Sequence, residues 1–199
     1  GMPWSPYGSH SFYEPPLVGD SLPDWQFFGG SGDPGVMQPI GHDVNGDGHL
    51  DLLYLDSNTW FGTLEGGVLL IKLGPITFAE EDSGQLSYYD AEYWIAGQNG
   101  DQIRNVAIGP DLTGDGTEEI LVSSSESNRV YILNELVEGH SYVTDYGIYV
   151  EDPIPDIGFG YTIKTLDNLE PFGDPAMAVS RPYFNGNRGS VLFLMEGVQ

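Results

Sequence analysis

Apolar positions in this chain fall in short unbroken runs: Leu52–Leu55, Val68–Ile71, Ile120–Val122, Val130–Leu133 and Val191–Leu194. Segments rich in Gly, Pro, Asn, Asp and Ser separate them. Runs of this length between turn signals read as strands covered on both faces. No stretch carries the 3.6-residue apolar period of an amphipathic helix. The pattern predicts an all-β chain with three sets of four strands. The first set lies near 24–28, 36–42, 51–56 and 67–72. The second lies near 92–96, 104–110, 119–124 and 129–133. The third lies near 143–150, 160–166, 175–180 and 190–195.

The sets echo one another. Shifting the chain by 68 residues lays Trp25–Asp43 on Tyr93–Asp111, with Gly29, Gly32, Asp33, Ile40 and Gly41 on Gly97, Gly100, Asp101, Ile108 and Gly109. A third copy follows if Ala176–Ser180 is aligned on Ile120–Ser124, which puts Asp167 at the start of its loop. Repeated four-stranded units with inner strands buried on both faces describe β-propeller blades. A sandwich of unrelated hairpins leaves the echo unexplained. The expected organisation is a Pro- and aromatic-rich leader over residues 1–22 and a propeller segment over 23–199. Its three four-stranded antiparallel blades span about 23–74, 91–134 and 143–196.

The candidate chemistry sits in the echoed loops. In DVNGDGHLD, Asp43, Asn45, Asp47 and Asp51 take positions 1, 3, 5 and 9, and the carbonyl of His49 stands at position 7. Ca²⁺ takes six to eight oxygen ligands, and alternate residues of a tightly curled loop aim theirs inward. Gly46 and Gly48 permit the left-handed backbone that such curling needs. An EF-hand does not fit, because Tyr54 stands where the closing Glu belongs and a strand follows instead of a helix. The second copy, DLTGDGTEE, offers Asp111, Thr113, Asp115, the Thr117 carbonyl and Glu119. Thr113 is a weaker ligand than Asn45, so the first loop is expected to be the better cation site. The competing reading is a pair of polar surface turns, since Asn-Gly and Asp-Gly are common turn formers. The third loop carries Leu169, Pro171 and Pro175 at ligand positions and should hold no metal.

Charge narrows the partners. The 199-residue chain has a net charge of −24 with six Lys and Arg in all, which disfavours nucleic acid and anionic membranes. No apolar run approaches a membrane span, no signal-peptide pattern is visible, and there is no cysteine. His10, His42, His49 and His140 match no zinc spacing, and His42 and His49 are expected to face solvent. No nucleophile elbow, P-loop or Cys nucleophile is present.

The third unit resembles the FG-GAP repeat of the integrin α-subunit β-propeller. Phe159-Gly160 stands where that family has Phe-Gly, Ser180-Arg181-Pro182 where it has Gly-Ala-Pro, and the calcium loop lies between the two marks. Asp43, Asn45, Asp47, His49 and Asp51 match that loop fully. Asp111, Thr113, Asp115, Thr117 and Glu119 depart from it at positions 3 and 9. The first two units depart at the flanking marks, with Gly35-Val36 and Ile103-Arg104 for Phe-Gly, and Leu55-Asp56-Ser57 and Ser123-Ser124-Ser125 for Gly-Ala-Pro. The resemblance covers roughly residues 23–195. It implies a calcium-stabilised extracellular or cell-surface module that binds a protein or carbohydrate ligand, with structural Ca²⁺ and no catalysis. The alternatives are the propeller part of a secreted polysaccharide lyase or hydrolase, and a non-binding repeat fragment.

Three blades do not close a ring, which leaves two competing expectations: the chain is a piece of a longer propeller protein, or two copies pair head to tail into a six-bladed ring, each first strand completing the partner's last blade, with an open three-blade arc as the plainer arrangement. Strand alternation places Trp60, Phe61, Arg104, Arg129, Arg181, Tyr183, Phe184 and Arg188 at the end away from the acidic loops. Aromatic rings stack on sugars and Arg grips carboxylates, so this end is the expected ligand face. Packing at the ends of the sheets is the competing role for these residues.

Overall fold

A computed structural model describes residues 26–27, 37–57, 60–61, 64–76, 85–86, 90–98, 101–155, 157–169 and 174–195. The chain is all-β, and three principal sheets follow one another in sequence. The first is built from β2 (Met37–His42), β3 (Asp51–Asp56), β6 (Val68–Lys72) and β8 (Tyr93–Ala96), antiparallel in that order. The second comprises β9 (Ile103–Ile108), β10 (Ile120–Ser124), β11 (Arg129–Leu133) and β13 (Tyr149–Glu151), again antiparallel. The third comprises β14 (Ile163–Leu169), β15 (Asp174–Arg181) and β16 (Ser190–Met195). Small pairs complete the picture: β1 (Gln26–Phe27) runs parallel to β7 (Gln85–Leu86), and β4 (Trp60–Phe61) pairs with β5 (Leu64–Glu65).

Sheet and sequence repeat are out of phase by one strand. The first strand of the second repeat, β8, closes the first sheet, and β13 of the third repeat closes the second. Both serve as the fourth strand of the sheet formed by the preceding repeat.

Side-chain alternation along the strands stacks the sheets. Leu53, Leu55, Leu69, Ile71 and Ile95 of the first sheet share a core with Val106, Ile120, Val122, Tyr131 and Leu133 of the second. The opposite face of the second sheet, with Ala107, Leu121, Val130 and Ile132, packs on Ile163, Met177 and Val179 of the third. The second sheet is thus apolar on both faces, as its unbroken runs predict. Its first strand, β9, touches β2 and β3 on one side and β14 on the other. The leading edges of the three sheets therefore lie together.

The Phe-Gly mark has a packing role. Phe159 is fully buried in the core between the second and third sheets, and Ile103 is fully buried in the core between the first and second. Gly160 adopts φ +80, and a Cβ there would meet Ser123 and the Arg129 carbonyl at 3.1 and 3.2 Å.

Three expectations are corrected. Residues 143–150 do not form one strand. Val143–Tyr146 is a 3-10 turn, held by the Asp145 carboxylate accepting from Tyr142 N at 2.8 Å and ended by Gly147 at φ 71. Ahead of it, β12 (Gly139–Tyr142) adds a fifth strand, parallel to β8. It carries no apolar run, which is why sequence pattern missed it. In the third repeat, Asp167 lies within β14 rather than opening a nine-residue loop, and Leu169 pairs with Asp174. The alignment there also slips by one residue. Met177 and Val179 take the core-facing positions held by Ile120 and Val122, and a one-residue slip exchanges the faces of a strand.

Candidate metal centre

Both acidic loops join the first two strands of a sheet: Asp43–Leu50 links β2 to β3, and Gly109–Glu119 links β9 to β10. They curl as expected, with Gly46 and Gly48 at φ +73 and +87, and Gly114 and Gly116 at φ +80 and +91. A Cβ at any of the four would meet nothing within 4 Å, so the positions need glycine for backbone conformation and not for space.

The first carboxylate of each loop organises the curl. Asp43 Oδ1 accepts from Gly46 N at 2.8 Å and Asp47 N at 3.1 Å, and its Oδ2 accepts from Gly48 N at 2.8 Å. Asp111 repeats this pattern with Gly114 N at 2.6 Å, Asp115 N at 3.1 Å and Gly116 N at 2.8 Å. Asp47 accepts from His49 N at 2.8 Å and from the Asn45 amide at 3.0 Å, and these bonds lower its pKa below that of an ordinary aspartate. Asp115 accepts from the Thr117 hydroxyl and the Thr117 N–H, and its pKa is lowered likewise. The N–H groups of His49 and Thr117 therefore turn into their loops.

The loops differ at position 9. Both residues there are about 1% exposed, and each accepts from the backbone N–H at position 2 of its loop: Asp51 Oδ2 from Val44 N at 2.8 Å, Glu119 Oε2 from Leu112 N at 2.7 Å. Asp51 spends its other oxygen on Gly74 N, 2.7 Å away in the first sheet's outer loop. Glu119, one methylene longer, reaches back into its own loop, where Oε1 accepts from Thr113 N at 3.0 Å and Thr113 Oγ1 at 2.6 Å. Among the described residues one group of three acidic side chains converges: Asp111, Asp115 and Glu119, with carboxylate oxygens within 4.8 Å of one another. The stronger convergence thus falls on the loop that departs from the ideal motif. Its donor set is all oxygen and triply anionic, which suits a hard divalent cation.

An element that sequence reasoning missed joins the two loops. His42 Nε2 and Glu118 Oε2 lie 2.9 Å apart, so the residue before Asp43 touches the residue before Glu119. His49 is exposed as expected, whereas His42 is engaged in this contact. A cleft of about 520 Å³ opens between the loops, with Asp43, Asn45, Gly116 and Glu118 at its rim and Tyr93, Ile120 and Leu133 within. The Tyr93 phenol pKa is raised by burial and by the negative charges of Glu138, Glu92 and Asp51. The field over this end is therefore anionic.

The candidate ligand-face residues do not form one patch of free groups. Arg129 Nε holds Glu151 at 2.9 Å while its guanidinium lies 4.6 Å from the Tyr149 ring centroid. Arg181 binds buried Asp152 at 2.7 Å and Ser190 at 3.0 Å, and covers the Phe184 ring at 4.6 Å. Arg104 meets Gln102 at 2.6 Å and Glu126 at 3.6 Å. Tyr183 is 51% exposed, edge-on to Tyr161, and Arg188 is exposed. The structure unites Arg181, Phe184, Tyr183 and Tyr161 at one end of the third sheet, and uses Arg129 and Arg181 to tie strands together. Trp60 and Phe61 form β4, and their side chains lie outside the described residues, as do the leader at 1–22 and the Gly35-Val36 mark.

No protein-family model matches this sequence, and a comparison with curated proteins finds no match either.

Proposed function

We propose that this chain is a calcium-stabilised segment of a β-propeller, with FG-GAP-like blades, that serves outside the cell as a binding or adhesion module. The observation that carries the reading is the convergence of Asp111, Asp115 and Glu119 in a glycine-curled loop that recurs, with the same carboxylate-to-amide bonds, 68 residues earlier. The propeller reading draws support from successive sheets that share cores face to face and gather their first strands together.

In this reading Asp111, Asp115, Glu119 and Thr113 hold one ion, and Asp43, Asn45, Asp47 and Asp51 hold a second, weaker one. Bound calcium neutralises carboxylates crowded into each loop. The chain's own residues do the rest: backbone N–H groups orient the carboxylates, and glycines allow the curl. The ion's role is structural, and the ligand, a protein or carbohydrate, meets the opposite end around Tyr183, Phe184 and Arg188.

The test is thermal unfolding with excess calcium and with excess chelator. At a free calcium concentration about 100-fold above Kd, one site contributes about 2.7 kcal/mol, which raises Tm by roughly 5–10 °C for a chain of this size. Superimposable melting curves in the two conditions would overturn the reading. Retention on a glycan or matrix-protein array, weakened by Tyr183→Ala and Trp60→Ala, tests the ligand face.

A further inference from the structure

The cleft between the two acidic loops has a lining that a calcium ion does not need. It holds about 520 Å³, within the range of sites that take small ligand groups. Its surface is divided. Val44, Ile120, Leu133 and Leu136 make an apolar floor, and all four pack with the core shared by the first and second sheets. Asp43 and Glu118 stand at the rim, and Tyr93 adds an aromatic ring to the wall. No lysine or arginine is among the lining residues. His42 is the basic side chain at the rim, and its Nε2 already meets Glu118 Oε2 at 2.9 Å.

Charge and polarity select the occupant. An anion would meet Asp43 and Glu118 at the rim, with Glu138, Glu92 and Asp51 close enough to raise the Tyr93 phenol pKa; of these, Glu92 is paired with Lys72. A bare divalent ion gains nothing from the apolar floor, since hard cations take oxygen ligands. A wholly apolar group would take the rim carboxylates out of water unpaired. A cation on an aliphatic stem satisfies both surfaces, with its stem on the floor and its charge at the rim. Arginine suits the site better than lysine. Its planar guanidinium offers five donors in a fork that matches carboxylates, and it stacks on aromatic rings. Glu118 keeps acceptor capacity beside His42, because a carboxylate has about four acceptor sites. The chain's own arginines are placed elsewhere: Arg104, Arg129 and Arg181 meet Glu126, Glu151 and Asp152, and Arg188 lies in the turn between β15 and β16.

We infer that this cleft takes an arginine side chain from a partner protein, with the methylene stem on Val44, Ile120, Leu133 and Leu136 and the guanidinium among Asp43, Glu118 and the Tyr93 ring. The contact lies at the end of the sheets opposite Tyr183 and Phe184, so it is a second point of attachment and not part of the ligand face. It depends on Glu118, which lies next to Glu119 in the chain but outside the converging group of Asp111, Asp115 and Glu119. It follows from the shape and charge of the cleft and holds whether or not the acidic loops take calcium.

The probe is the peptide acetyl-Gly-Gly-Arg-Gly-Gly-amide, titrated into the isotope-labelled full chain in chelator at about 0.15 M salt and followed by amide chemical shifts. A control peptide carries citrulline, the neutral isostere, in place of arginine. The arginine peptide should bind with a Kd of about 1 mM and shift the amides of Val44, Tyr93, Glu118 and Leu136 most. The citrulline peptide should leave them nearly unmoved. Glu118→Gln, at an exposed position, should weaken binding about fivefold, and Leu136→Trp, which fills the cleft, should abolish it. Four results would each overturn the inference: no shifts at about 10 mM peptide, shifts spread evenly over the acidic surface, equal binding of the citrulline peptide, or unchanged affinity in both variants. Because no calcium is present, loss of the calcium reading would leave this result unchanged, and a failed titration would leave the calcium reading intact.

Discussion

Single residues decide how the two acidic loops differ. Asp51 and Glu119 occupy the same loop position and differ by one methylene, yet Asp51 anchors to Gly74 N while Glu119 folds back toward Asp111 and Asp115. Calcium titration by calorimetry should therefore find Glu119→Gln more damaging than Asp51→Asn, with the Glu119 change weakening the tighter site by about tenfold or more, equivalent to about 1.4 kcal/mol. Equal losses from the two would count against the assignment. Arginine partners divide in the same way. Asp152 is 7% exposed and accepts from Ile154 N as well as from Arg181, its counter-ion, so Arg181→Ala leaves a buried carboxylate with no opposite charge and should cost on the order of 3 kcal/mol in denaturant unfolding. Arg129 and Glu151 are more exposed, and Arg129→Ala should cost under about 1 kcal/mol. The reverse ranking would show that the tie to Asp152 is not what holds the third sheet's end in place.

At the scale of the strand and loop, close backbone approach explains a glycine that hydrophobic pattern could not. Gly97 ends β8 against Gly66, and a Cβ on Gly97 would fall 2.2 Å from the Asp101 carbonyl and 2.4 Å from the Gly66 carbonyl. Neither carbonyl belongs to a side chain that can swing away. Gly97→Ala should destabilise the first sheet by about 1–3 kcal/mol and speed amide exchange at Ile95 and Ala96. Unaltered exchange at those two amides would refute the steric account. Strand positions in the first two repeats were legible because continuous apolar runs between turns have few other interpretations. The third repeat was less legible. Its short alanine-containing run fits two registers differing by one residue, and burial against the second sheet selects one of them. β12 was invisible, since its pairing with β8 depends on a neighbour more than 40 residues away and not on its own composition.

For the whole molecule, charge and stacking pull in opposite directions. The net charge of −24 opposes compaction, and the shared cores between successive sheets oppose that repulsion. Raising monovalent salt should therefore stabilise the calcium-free chain. Its Tm should climb as the Debye length shortens from about 10 Å at 0.1 M to about 3 Å at 1 M. A Tm that falls or stays level would show that acidic repulsion is not the limiting strain.

By itself the sequence determined the all-β class, the 68-residue repeat, and the glycines and oxygen-bearing side chains of both curled loops. Each of these depends on local spacing: apolar runs dictate strands, and a left-handed turn demands glycine wherever it occurs. Tertiary structure alone decided that the second and third repeats lend β8 and β13 to the preceding sheets, that Glu119 rather than Asp51 completes a carboxylate cluster, that His42 reaches Glu118, and that Met177 and Val179 take the buried register of the third sheet. Those outcomes depend on which groups meet across sheets, where one methylene or one residue of register changes a side chain's partner, and local spacing carries no record of that distance.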